Sequence, residues 1–110
     1  MKLVPGTDGV TKVDYSCTSD DFRRTWRMND WNTFRIRVEG DLPRITTWIN
    51  EVKICECDTS KIEWKDYDPE AAKKLLGPRG HIALEVHDGP PERWGVGKVA
   101  RWRNIAVKQL

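Results

Sequence analysis

Three runs of alternating apolar and polar residues, separated by short turns, constrain this chain more than any other feature. Phe34, Ile36 and Val38 alternate with Arg35, Arg37 and Glu39, the period of a half-buried strand. Gly40, Asp41 and Pro43 turn the chain, and Ile45, Thr47 and Ile49 then alternate with Thr46 and Trp48. Asn50-Glu51 sits where a two-residue hairpin turn fits, ahead of a third run with Val52, Ile54 and Cys55. Asn suits the positive φ such turns demand and Glu does not, so the turn is strained or of another type. The runs make a three-stranded meander, with Trp48 expected on its polar face.

The flanks are less regular. Residues 1–30 read as an irregular segment with one short strand, where Val13, Tyr15 and Cys17 alternate with Asp14 and Ser16. Pro5-Gly6 and Asp8-Gly9 are turn signals. Residues 18–31 show no clean period and read as a loop pinning Phe22, Trp26 and Trp31. Further on, Asp68 is a natural N-cap, Pro69 suits the first helical position, and Gly77-Pro78 stops the helix. One short connecting helix is therefore expected near 69–76. A fourth strand follows, with Ile82, Leu84 and Val86 on one face and His81, Ala83, Glu85 and His87 on the other, until Asp88-Gly89-Pro90-Pro91 breaks it. A last strand runs from about Lys98 to Leu110, with Trp102, Ile105 and Val107 inward. The odd step from 102 to 105 predicts a bulge near Arg103-Asn104.

At 110 residues the chain is one domain's worth. Five or six antiparallel strands, each with one apolar face, must bury it against another layer. The expected fold is all-β, an antiparallel sandwich. Lys and Arg number 19 against 17 Asp and Glu, a net charge of +2, too balanced for a protein that coats polyanions by bulk charge. The same balance argues against nucleic acid as the partner of the basic and aromatic stretch 93–103. Gly95-Val96-Gly97 is a lone pair of glycines with no following helix, not a phosphate cradle. No run approaches a membrane span and residues 1–10 lack the apolar core of a signal peptide, so the chain reads as soluble, with no membrane partner. Three cysteines cannot form a complete disulfide framework. Cys55 and Cys57 share a strand face and, with Cys17, read as reduced structural thiols.

Four strings occur in a telling order: WNTFRIRVEG (31–40), RITTWINEVKI (44–54), GPRGHIALEVHDG (77–89) and RWRNIAVKQL (101–110). In order and spacing they resemble the C-terminal part of the 3-keto-disaccharide hydrolase domain family, over roughly residues 31–110. Glu51 stands where that family has Gly. The resemblance implies a concanavalin A-like jelly-roll sandwich, action on disaccharides or glycosides oxidised at C3, and full-length relatives that are secreted or periplasmic. It also implies a longer domain, with strands ahead of Trp31 that are largely missing here. Two alternatives follow: a non-catalytic carbohydrate-binding module, or an inactive fragment of the larger domain that self-associates through an incomplete sandwich.

A keto group at C3 acidifies the C2 proton, so the glycosidic bond can break by β-elimination followed by water addition. That route needs a base, an acid for the leaving group and a stabiliser for the enolate oxygen. Glu85 and His87, two apart on one strand face and about 6.6 Å between Cα atoms, are the best acid–base pair. Arg35, Arg37, Arg101 and Arg103 suit planar contacts with an enolate or sugar hydroxyls, and Trp48 suits stacking on a pyranose. The bland reading of each is a salt-bridged sheet face, a loop contact or a covered sheet edge. His81 and His87 are about 20 Å apart along a strand, too far to chelate one metal. No cofactor is expected; a divalent ion at Glu85 and His87 has weak support. The expected partner is carbohydrate.

Overall fold

A computed structural model describes residues 2–3, 11–85 and 99–110. These fall into two compact units, residues 1–80 and 81–110.

In the first unit, β1 (Lys2–Leu3) pairs antiparallel with β2 (Thr11–Lys12) in a small ribbon. Next come β3 (Tyr15–Ser16), α1 (Ser19–Thr25), β4 (Phe34–Glu39), β5 (Arg44–Ile49), β6 (Val52–Asp58) and α2 (Pro69–Leu76). Strands β3 to β6 form one antiparallel four-stranded sheet in the order β3-β6-β5-β4. The regular structure of the described chain is thus mostly strand, with short helices. The three-stranded meander is present, and its register sets Arg35 opposite Trp48 and Val38 opposite Ile45.

The β5–β6 hairpin closes on Asn50 and Glu51 alone, since Ile49 pairs with Val52. Both turn residues are left-handed, φ 48° and 66°, the signature of a type I′ turn, which matches the twist of the strands. The sequence thus places a poorly suited Glu in a turn that did not change type to accommodate it. A few residues on, pairing shifts from Thr47–Cys55 to Trp48–Lys53. Ile54 is the extra residue of a bulge, and the bulge brings Lys53 onto the same face as Glu56.

Residues 18–31 correct the loop expectation, because Ser19–Thr25 is helical. Its cause is local: Thr18 Oγ1 accepts the Asp21 N–H at 3.0 Å and donates to Asp21 Oδ2 at 2.7 Å. Acidic residues at 20 and 21 and basic ones at 23 and 24 suit the helix ends. Helix α2 spans 69–76 as expected, with the Asp68 carboxylate accepting the N–H groups of Glu70 and Ala71 and left-handed Gly77 ending it.

In the second unit, residues 81–85 and 99–110 carry no regular secondary structure, so the fourth and last strands are not formed among the described residues. Alternation alone does not make a strand; a ladder partner must accept and donate along it. Asn104 adopts φ 55°, so the odd step in the apolar pattern marks a left-handed residue rather than a bulge in a ladder. Trp102, expected inward, is exposed. Val86, His87, the 88–91 breaker, the 95–97 glycines and the turns at 5–6 and 8–9 lie outside the described residues.

The sheet buries little. Ile49 and Thr46 are its buried residues among those described, while Phe34, Ile36 and Val38 on the apolar face of β4 are 50%, 55% and 58% exposed. Within the first unit the described residues thus form one four-stranded sheet, a two-stranded ribbon and short helices.

Candidate functional site

The polar face of the sheet gathers Arg35, Arg37 and Glu39 from β4, Arg44, Thr46 and Trp48 from β5, and Lys53, Glu56 and Asp58 from β6, with Tyr15 beside Glu56. Three of the expected ligand-binding residues, Arg35, Arg37 and Trp48, meet here. The Arg35 guanidinium carbon lies 4.3 Å from the centroid of the Trp48 ring and that of Arg37 lies 5.7 Å away. Both contacts follow from register, because Arg35 is the direct cross-strand partner of Trp48 and Arg37 its diagonal neighbour. A guanidinium stacked on an indole keeps its in-plane N–H donors turned outward. Two carboxylates complete the group: Glu51 Oε2 is 3.6 Å from Arg35 Nη2, and Glu39 Oε2 is 2.8 Å from Arg37 Nε.

Trp48 therefore offers no bare ring face on the Arg35 side. What the sequence suggested as a stacking platform is an indole faced by guanidiniums, with carboxylates at its rim. Such a rim presents hydrogen-bond donors and acceptors side by side.

The other half of the polar face is a closed charge network. Asp58 receives Ser60 Oγ at 2.6 Å, Ser60 N–H at 3.1 Å and Arg44 Nη2 at 3.1 Å. These contacts, Ser60 first and then Arg44, hold its carboxyl down to about 2. Asp14 accepts the Asp58 N–H at 2.6 Å and Lys61 Nζ at 3.1 Å, and these two bonds, the backbone one first, lower its pKa too. Lys53 Nζ donates to Glu56 at 2.6 Å and stands over the Tyr15 ring; this hydrogen bond is the main cause of a lowered Glu56 pKa. These groups satisfy one another and read as structural.

Two asparagines from the quoted strings form a second connected centre. Asn50 Oδ1 accepts the Thr33 N–H at 3.0 Å, and Asn50 Nδ2 donates to Thr25 O and Asn32 Oδ1, both at 2.8 Å. Asn32 Nδ2 donates to Arg27 O and Asp30 O, while Asn32 Oδ1 accepts the Arg27 N–H. This knot ties the end of α1 and the start of β4 to the hairpin, and so fixes the strand carrying Arg35 and Arg37. In the sequence the Asn-Glu pair marks a turn; the further signal it carries is an Asn side chain with two donors and an acceptor to spare at a hairpin.

Glu85, Arg101 and Arg103 belong to the second unit, exposed and outside regular structure, and His87 lies outside the described residues. The thiols of Cys55 and Cys57 are free and pushed up chiefly by burial, away from the reactive thiolate. Among the described residues, no three His, Cys, Asp or Glu side chains gather around a point that would hold a metal ion. No helix of those residues is long and apolar enough to cross a membrane.

Residues 8–108 match the 3-keto-alpha-glucoside-1,2-lyase-like domain family, which is the 3-keto-disaccharide hydrolase domain family of the motif resemblance. The chain belongs to this family. The match begins well ahead of Trp31, so the short strand β3, helix α1 and the Asn32–Asn50 knot are part of the 3-keto-glucoside-lyase-like domain and not an appendage to it. No curated protein and no solved structure matches the chain.

Proposed function

We propose that this domain cleaves glycosides oxidised at C3 by eliminating the aglycone across C1 and C2. The observation that carries the reading is the family match over residues 8–108. A base removes the C2 proton, its electron pair forms the C1–C2 double bond, and the C1–O bond breaks. The aglycone oxygen takes a proton from an acid, and water then adds across the double bond. Glu85 and His87 supply the base and the acid, and Arg101 and Arg103 of the C-terminal string steady the enolate oxygen. Within the first unit, Arg35 and Arg37 bring cationic donors together on the Trp48 ring, an arrangement in keeping with sugar binding.

A second reading, a carbohydrate-binding module without turnover, is favoured by one observation. Arg35, Arg37, Trp48 and Glu51 are already assembled within β4, β5 and the turn after it, and binding needs no acid–base pair. Release of free sugar from a 3-keto-disaccharide by the purified chain separates the two. The lyase reading expects turnover that disappears in Glu85→Gln and His87→Ala while binding persists. Binding that is lost in Trp48→Ala, with no turnover in the wild type, would overturn it in favour of the module.

A further inference from the structure

We propose that Glu51 is the positioning and specificity residue of the Trp48 site: it holds the Arg35 guanidinium across the indole and makes the site select neutral glycosides over carboxylated ones. The inference rests on reading Arg35, Arg37 and Trp48 as a sugar site.

Glu51 occupies the second position of a type I′ turn at φ 66°, a conformation that Glu adopts at a cost and Gly adopts freely. Its carboxylate lies 3.6 Å from Arg35 Nη2, with the side chains 72% and 54% exposed. A pair so open to water adds little to stability. Strain held in place without a stability return points to a role for the side chain itself. The geometry supplies that role. Arg35 reaches Trp48 from the neighbouring strand, and Glu51 sits one hairpin turn beyond Trp48, so the carboxylate draws the guanidinium along the ring.

The charge pattern gives the selectivity. Two guanidiniums on one ring would attract an anionic ligand. Here each has a carboxylate beside it, Glu51 at Arg35 and Glu39 at Arg37. A sugar hydroxyl donates to one partner and accepts from the other, whereas a sugar carboxylate competes with Glu51 and is repelled by it.

The test uses the full chain labelled with 15N. In the wild type the Arg35 Hε resonance should carry the ring-current shift of Trp48, identified by its loss in Trp48→Ala. In Glu51→Gln, which keeps the turn strain and removes only the charge, that resonance should move toward its position in Trp48→Ala. Glu51→Gly should move it likewise while raising the melting temperature, which separates positioning from stability. Methyl α-glucoside and methyl α-glucuronide then serve as matched probes that differ in the carboxylate. The wild type should prefer the glucoside, and Glu51→Gln should shift the ratio of dissociation constants toward the glucuronide by about threefold or more. An unmoved Arg35 resonance, or an unchanged ratio, in Glu51→Gln overturns the proposal. Binding of both probes that survives Trp48→Ala, or no binding by the wild type, overturns instead the sugar-site reading and the selectivity built on it.

Discussion

At the scale of single residues, the hairpin turn shows two opposite uses of left-handed backbone. Asn50 accepts its φ of 48° readily, because its short polar side chain tolerates that region, and it then spends every side-chain polar atom on neighbours. Asn50→Ala removes the side-chain bonds to Thr33, Thr25 and Asn32 and puts a poorer residue at positive φ. The expected loss is about 2–3 kcal/mol in urea unfolding. Glu51 is the reverse case. Glu51→Gly relieves a left-handed cost of about 1–2 kcal/mol, offset partly by the added freedom of glycine in the unfolded chain and by the lost surface pair. A net gain of about 0.5–1 kcal/mol in the same measurement is expected. The sequence shows the mismatch at residue 51 plainly, and it shows Trp48 among the arginines, because period two and a short turn fix which side chains are neighbours. It does not show that Arg35 covers the ring, since stacking depends on the rotamer of a long side chain.

At the scale of elements, what was legible depended on how completely the local signals were written. Helix α2 has an N-cap, a proline at its first position and a left-handed glycine after it, and its bounds follow from those alone. Helix α1 is seven residues long with one aromatic pair, Phe22 stacked on Trp26, too short for a period to stand out. Its start depends on the Thr18–Asp21 exchange. Thr18→Ala should cost about 1 kcal/mol and show first as lost amide protection in 19–25. Of the expected strands at 81–87 and 98–110, the described parts 81–85 and 99–110 carry no regular structure, because alternation states which face is apolar and leaves the ladder partner unstated. Burial within the sheet separates two isoleucines that look alike in sequence. Ile49 is 5% exposed and Ile36 is 55% exposed, so Ile49→Ala should cost about 2–4 kcal/mol and Ile36→Ala less than about half of that. Thermal midpoints of the two variants, compared directly, check the contrast.

At the scale of the whole molecule, the family match explains why fragments of the sequence were readable across gaps that secondary structure does not bridge. The four quoted strings include the β4 to β6 meander, which forms, and the C-terminal segments, which carry no regular structure among the described residues. The Glu85–His87 pairing rests on spacing alone, and His87 lies outside the described residues. Among the described residues, one long-range tie outside the ladders runs through Asp14: ahead of β3, it accepts the Asp58 N–H at the end of β6 and pairs with Lys61 beyond it. Asp58 sits at the middle of that network with its side chain 11% exposed, and its pKa of about 2 lies below the roughly 3.9 of an aspartate in an unfolded chain. Between those values the unfolded chain binds the proton and the folded chain does not, so falling pH favours unfolding. The contribution of Asp58 is complete above about pH 4 and is lost as pH falls through about 2. Asp14, lowered in the same direction, adds to the slope on the acid side of its ordinary value. Asp58→Asn removes the titrating group, so the fall in stability between about pH 4 and pH 2 should be shallower than in the wild type, on a baseline already lower at pH 7. Urea midpoints at a series of pH values for the two proteins check this; parallel curves would mean that Asp58 titrates alike in the folded and unfolded chains.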